Sequence, residues 1–275
     1  MLSPWIHTTE KCQLKCPYCY VRGDGIMQQE VYNALGKMLP PDSHLRIAGG
    51  EPLLVYGNWK EWATQWKSVE VLTNLRYVPD GYYDMGFHTS VSVDGCGEKP
   101  LDKEIIKNIS RLKTPWLMTT IIDLDALPIL AEYVSKTNCG WAVSTDYWWQ
   151  GTPAIDDLIV MMVEVVRILK RNNYNFQEFI FNNVDFSGRG GCDAGGDMFA
   201  VNCNGDIYSC QTQFNQATPI GDVFNGYVKK SCKKNHAECQ DCCIKGVCTG
   251  WCPLYFKPGD LCDVYKFIVW EVLYA

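Results

Sequence analysis

The chain has 275 residues, of which 47% are hydrophobic, enough for one large or two modest cores and too many for a disordered polypeptide. Its 25 basic and 31 acidic residues give a net charge of −6 with no long block of one sign, so nothing in the charge favours a nucleic-acid partner. The first residues lack the basic and apolar regions of a secretion signal and no run of about 18 apolar residues occurs, which predicts a cytoplasmic protein with no membrane partner.

From residue 4 to about 150, short β-rich runs alternate with helix-forming stretches, the pattern of βα units feeding a parallel sheet. Strands are expected at 5–8, 45–48, 69–73, 89–93, 116–122 and 141–145, and helices at 28–39, 59–67, 103–112, 126–137 and 155–171. The turn-rich stretch 78–86 has room for a helical turn. Six units are too few for the closed eight-stranded barrel, so the expected fold is α/β, an open, partial (β/α)6 TIM-like barrel over residues 1–185. Ligands of parallel sheets sit at the carboxyl ends of the strands, which makes the residues just after each strand the place to look for a site. After about residue 185 the sequence turns rich in Gly, Cys, Asn and Asp, and 199–202 with 206–210 reads as a hairpin through Asn204-Gly205. Residues 186–275 are thus expected to form a small Cys-rich C-terminal domain.

Fifteen cysteines in a chain read as cytoplasmic point to metal rather than disulfides. Three of them, Cys12, Cys16 and Cys19, follow the first strand, and ten lie from Cys192 to Cys262. The first three have no nearby fourth ligand for a tetrahedral zinc. Three thiolates can instead hold three irons of a 4Fe-4S cluster and leave the fourth iron open to a small molecule, although a zinc completed by a distant ligand stays an alternative.

The spacing C-x-x-x-C-x-x-C, with Tyr18 before the last cysteine, resembles the signature of the radical S-adenosylmethionine superfamily. The following strand ends resemble that family too. Gly49-Gly50-Glu51-Pro52 is similar to the motif that meets the amino group of S-adenosylmethionine, where glycines let the ligand approach the backbone. Thr73-Asn74 matches a family Thr-Asn, and Ser90, Ser92 and Asp94 resemble the polar segment that meets ribose or carboxylate. Thr120 and Ile122, with Thr119, stand where the family packs the adenine. Each piece alone reads equally as a turn or a loop cap, and their order at successive strand ends is what carries the resemblance.

Further along, Cys192, Gly205, Cys210, Cys239, Cys242, Cys248, Cys252 and Cys262 resemble the SPASM extension, which holds two auxiliary 4Fe-4S clusters. The resemblance implies Cys192, Cys210 and Cys252 for the first and Cys239, Cys242, Cys248 and Cys262 for the second, three clusters in all. Cys203 is the candidate fourth ligand of the first, with an open iron as the alternative. Zinc ribbons remain the other reading of 239–252, and Cys96, Cys139, Cys232 and Cys243 read as bystander thiols.

What the resemblance implies is reductive cleavage of S-adenosylmethionine to a 5′-deoxyadenosyl radical, fed by a reducing partner such as a flavodoxin or ferredoxin, and hydrogen abstraction from a peptide or protein side chain. Crosslinking, epimerisation or oxidation are the outcomes expected. No segment before the first strand is long enough for a leader-binding domain, so a separate recognition protein is expected. A small metabolite or nucleotide-derived substrate, and a non-catalytic iron-sulfur scaffold or electron carrier, are the alternatives. Asp94, Asp123 and Asp146 are acid-base candidates by location, and Tyr147, Trp148, Trp149 and Gln150 are candidates for a substrate rim or for packing. Gln211 follows Cys210 where related sulfatase-maturing enzymes carry a catalytic aspartate, which speaks against that activity.

Overall fold

The computed structural model describes residues 1–137, 139–145, 154–182, 184–187, 193–214, 217–229, 239–248 and 261–275. In chain order the strands are β1 (Trp5–His7), β2 (His44–Ala48), β3 (Ser68–Thr73), β4 (His88–Ser92), β5 (Trp116–Ile121), β6 (Gly140–Thr145), β7 (Phe179–Phe181), β8 (Val184–Asp185), β9 (Ala200–Val201), β10 (Asp206–Tyr208), β11 (Gly221–Asp222) and β12 (Gly226–Tyr227). The helices are α1 (Gln29–Met38), α2 (Tyr56–Ala63), α3 (Lys103–Ile109), α4 (Ala126–Thr137), α5 (Ile155–Arg171) and α6 (Cys262–Tyr274). They build two compact units that are not successive in sequence. One comprises Met1–Val91, Glu104–Lys113 and Asp193–Lys233, and the other Ser92–Lys103, Thr114–Cys192 and Lys234–Ala275.

The first unit runs β12-β11-β10-β9-β1-β2-β3-β4. Strands β1 to β4 are parallel, and β9 adds to β1 in parallel with Trp5 opposite Ala200. The C-terminal hairpin β9–β10 therefore extends the sheet begun by the first strand. Its turn needs Gly205, whose φ of 91° suits a residue without Cβ. Alternation along β2 and β3 makes two faces: Leu45, Ile47, Val69 and Val71 are buried and apolar, while His44, Arg46, Ser68 and Glu70 are half-buried and polar. Helix α1 buries Val31, Tyr32 and Leu35, and Tyr32 meets Trp62 of α2 at 5.2 Å. On the polar face Arg46 Nε donates to Glu70 at 3.1 Å and its guanidinium lies 5.4 Å over the Trp5 ring. Burial alone would push the Glu70 carboxyl up, but hydrogen bonds from His44 and Ser90 and the Arg46 charge bring it down to about 2.

The second unit runs β5-β6-β7-β8, with β5 and β6 paired over six positions from Trp116–Gly140 to Ile121–Thr145. Gly140 is obligatory there, because a Cβ would stand 2.3 Å from the Trp116 ring. Helix α5 buries Leu158, Met162, Val165, Val166, Ile168 and Leu169. It packs on α6, where the buried Glu271 carboxylate takes the Arg167 guanidinium at 2.9 Å. Strand β8 pairs with the cysteine-bearing 239–248 segment through Asp185 N–H to Val247 O, 2.9 Å, and a bridge from Val184 to Cys248. Among the described residues no helix is long and apolar enough to cross a membrane.

Candidate metal and cofactor site

The loop after β1 is closed at its base before any ligand is considered. Met27 N–H donates to Thr8 O at 2.9 Å and Glu10 N–H to Gly25 O at 2.8 Å, while the Thr9 hydroxyl donates to Gly25 O and accepts from Lys11 N–H. Within it Cys12 is exposed, Cys16 buried and Cys19 half-buried, and Tyr18 is half-buried beside them. Two N–H groups point at the Cys12 sulfur, Leu14 N at 3.4 Å and Asn74 Nδ2 at 3.7 Å. Burial first, then the nearby Glu51, Cys19 and Cys16 charges, pushes the Cys12 thiol up. Three thiols close enough to oppose one another's ionisation suit a cationic group that would relieve the repulsion. Among the described residues no three Cys, His, Asp or Glu side chains gather around one point as they would for a single ion.

The ends of β2 and β3 are locked to this loop. Gly50 N–H donates to Thr9 O at 2.7 Å and Glu51 N–H to Lys11 O at 2.8 Å. A Cβ on Gly49, whose φ is 148°, would lie 2.3 Å from Thr9 O, and one on Gly50 2.4 Å from Lys11 O. The space the glycines leave is thus taken by the protein's own cysteine loop, whereas the sequence suggested room for a ligand. Glu51 is fully buried and accepts from Leu53 N, the Thr73 hydroxyl and Asn74 N at 3.0, 2.7 and 2.8 Å. Pro52 begins the 3-10 turn that this carboxylate caps. Asn74 also accepts from Gln13 Nε2 at 3.0 Å, so its side chain spans Gln13 and Cys12.

Other candidates from the sequence are engaged differently. Ser90 donates to Glu70 at 2.5 Å. Ser92, half-buried, begins the second unit. In that unit the buried Asp94 accepts from Thr120 N–H at 2.9 Å and lies 3.9 Å from Lys99 Nζ. A carboxylate tied down in this way orients the end of β5 more readily than it exchanges protons. Ile122 is half-buried, 3.6 Å from the position a Cβ on Gly97 would take. Asp123 is exposed and accepts from Asp125 N–H, an Asx turn leading into α4. Asp146, Tyr147, Trp148, Trp149 and Gln150 lie outside the described residues, as do Cys192 and Cys252.

Cys210 is half-buried, 3.2 Å from the Thr212 hydroxyl. Tyr20 stands within the influence of both Cys210 and Cys19, its phenol raised by burial and hydrogen-bonded by Gln211. Cys203 is buried, with its thiol 3.2 Å from His7 O and 3.8 Å from Gly25 O, and burial followed by the Glu10 charge pushes it up to about 12. A thiol engaged by two carbonyls would have to release both to bind iron. In the second unit Cys242 and Cys262 both lie near enough to raise the Lys266 ammonium, and Cys239 and Cys242 share one turn. Sequence reasoning passed over His7. It is 2% exposed, burial drives its imidazole down to about 3, and neither ring nitrogen has a partner among the described residues.

No protein-family model and no curated protein matches this sequence. Solved structures do. The chain is similar to anSMEcpe with bound AdoMet and a Cp18Cys peptide, at a TM-score of 0.73 and 16% identity, over 98% of this chain and 96% of that one. It is also similar to Streptococcus suis SuiB bound to the precursor peptide SuiA, at a TM-score of 0.66 and 14% identity, over 94% of this chain and 75% of that one. The α/β fold with a mostly parallel sheet expected from the sequence is the fold these structures share.

Proposed function

We propose that this chain is a radical S-adenosylmethionine enzyme that modifies a peptide or protein side chain, with residues 186–275 as a SPASM-type domain for two auxiliary clusters. The observation that carries the reading is the brace in the first unit, where Gly50, Glu51 and Asn74 at the ends of β2 and β3 hold the loop of Cys12, Cys16 and Cys19 by direct hydrogen bonds. When bound there, a 4Fe-4S cluster supplies the electron that splits S-adenosylmethionine into methionine and a 5′-deoxyadenosyl radical able to take a hydrogen atom from substrate.

The chain's own part is orientation. Leu14 N–H and the Asn74 amide stabilise charge on the Cys12 sulfur, and Glu51 fixes both the 3-10 turn and the end of β3. Gln211 offers a neutral amide after Cys210, so it orients the Tyr20 phenol and cannot serve as the base that a carboxylate would be. Cys239, Cys242, Cys248 and Cys262 are assigned to the second auxiliary cluster, and Cys192, Cys210 and Cys252 to the first, its fourth iron open or held by Cys203. The peptides bound by anSMEcpe and SuiB support a peptide substrate. The reaction is placed in the cytoplasm with a flavodoxin- or ferredoxin-type donor, and peptide delivery by a separate recognition protein.

The test is anaerobic reconstitution with iron and sulfide, followed by dithionite and S-adenosylmethionine. Methionine and 5′-deoxyadenosine in equal amounts are expected. A reconstituted protein that binds S-adenosylmethionine but releases neither product is a scaffold or carrier, and the proposal then fails.

A further inference from the structure

The chain leaves β3 through a backbone conformation that leucine rarely adopts. Among the described residues three that are not glycine have a positive φ, Asn173, Asn182 and Leu75. Asparagine visits the left-handed region readily, whereas a bulky apolar side chain does so at a steric cost. Leu75 has a φ of 56° and is fully buried, so this is not the conformation of an exposed loop tip. Side chains of other residues hold both of its backbone polar groups. Its N–H donates to the Thr73 hydroxyl at 2.9 Å, and its carbonyl accepts from Asn108 Nδ2 of α3 at 3.0 Å. The Thr73 hydroxyl in turn donates to the buried Glu51. A strained conformation persists only where its surroundings over-determine it, which these bonds do, and such strain gathers at functional sites.

The residue it governs is Asn74. The Asn74 Oδ1 accepts from Arg76 N–H and from Gln13 Nε2, each at 3.0 Å, which turns Nδ2 toward the Cys12 sulfur at 3.7 Å. The bond to Arg76 spans Leu75, so the direction of the chain at Leu75 decides whether it forms. We propose that Leu75 is a positioning residue whose left-handed backbone holds the Asn74 carboxamide on the Cys12 sulfur, and that this bond eases reduction of a cluster bound there. Reduction adds negative charge that the ligand sulfurs share, and an N–H aimed at one of them stabilises it. The effect on reduction rests on the cluster proposed above. The geometry does not.

Three variants of the full chain separate backbone from side chain. Leu75→Val stays apolar but its β-branch disfavours the left-handed region, Leu75→Gly accepts that region and loses the side chain, and Asn74→Ala removes the carboxamide. The reconstituted protein is titrated with dithionite, following the electron paramagnetic signal that S-adenosylmethionine perturbs. Leu75→Val and Asn74→Ala should each lower the midpoint by about 59 mV, a tenfold shift in a one-electron equilibrium, while Leu75→Gly keeps the parent value. Leu75→Val should add nothing in the Asn74→Ala background. Leu75→Gly should nevertheless melt below the parent, because it gives up a fully buried side chain, so stability and potential part company. In metal-free protein, exchange of the Arg76 amide should quicken in Leu75→Val and stay slow in Leu75→Gly, which carries the test if Leu75→Val takes up no iron. Equal midpoints across the series, a Leu75→Gly midpoint as low as that of Asn74→Ala, or an Arg76 amide indifferent to Leu75→Val overturns the proposal. A parent that binds no iron at Cys12, Cys16 and Cys19 sinks the cluster and with it the effect on reduction, while exchange at Arg76 still decides the geometry.

Discussion

Around Cys12, Cys16 and Cys19 the loop is fixed by hydrogen bonds from two different strand ends, with Gly50 and Glu51 after β2 bonding its backbone and Asn74 after β3 its side chains. Between Cys239 and Cys248 the backbone bonds within the segment are turns, Cys242 N–H to Cys239 O, Lys245 N–H to Cys242 O, Val247 N–H to Ile244 O and Cys248 N–H to Ile244 O. The first set of thiols is therefore held from neighbouring strand ends, while the second rests on its own turns and on the pairing of Val247 and Cys248 with β8; on the proposed reading, metal would supply more of the order in the second than in the first. Similar clusters of cysteines can be a passenger of the fold in one place and part of its construction in another.

The largest effect that tests this contrast is loss of the braced ligands. Replacing Cys12, Cys16 and Cys19 by Ala should remove about four of the roughly twelve irons that three four-iron clusters contain and abolish 5′-deoxyadenosine, yet leave the circular dichroism unchanged. Unfolding of that variant would erase the contrast. Next, Cys239→Ala with Cys242→Ala should lower soluble yield and expose the C-terminal segment to protease, while the soluble remainder still cleaves S-adenosylmethionine. If that remainder binds S-adenosylmethionine but makes no 5′-deoxyadenosine, the second auxiliary cluster lies on the inward electron path.

Gly50→Val asks how far the brace and the site are one object. Its Cβ would fall 2.4 Å from Lys11 O and 2.5 Å from Glu10 O, so the cysteine loop must move, at a cost of about 2 kcal/mol. Both S-adenosylmethionine affinity and the N-terminal iron should decline together in iron analysis and equilibrium binding. Full iron with lost affinity would return Gly50 to a purely ligand-facing role.

The smallest effect is one of pH. Folding holds the Glu70 carboxyl near 2 against 4.5 in the unfolded chain, so the unfolded state binds the proton first. The stabilisation is whole above 4.5 and drains away as pH falls toward 2. It amounts to about 2 kcal/mol once partial exposure is discounted. Urea midpoints against pH should be flatter for Glu70→Gln in that window. Because the pair belongs to the polar sheet face, the difference should be the same in metal-free and reconstituted protein.

Strand positions were legible because alternation and turn residues agree: 141–145 was expected and Gly140–Thr145 is found, and 126–137 coincides with α4. The Asn204-Gly205 hairpin was legible for the same reason, though its docking onto β1 was not, since pairing between residues so far apart in sequence leaves no local trace. Helix α6 escaped because residues 262–274 are apolar almost all round, and the 3.6-residue rhythm that marks an amphipathic helix is muted. Spacing singled out the thiols and strand order singled out Gly49 to Pro52 and Asn74, and the structure brings Gly50, Glu51 and Asn74 onto the loop that carries Cys12. What spacing could not disclose was what fills the glycines' space, or that Ser90 belongs to Glu70. A lone histidine in a strand carries no motif, so His7 became visible only through its burial and its missing partners.

Glu51 has a kinetic consequence as well. One buried carboxylate receives the amides of Leu53 and Asn74 and the hydroxyl of Thr73, so none of these bonds can open without loosening the others. In hydrogen exchange the Leu53 and Asn74 amides should therefore open as a single cooperative event, although 20 intervening residues separate them in the chain. The ends of β2 and β3 would behave as one foldon, and the thiol-bearing loop would inherit its lifetime from that shared opening rather than from its own turns.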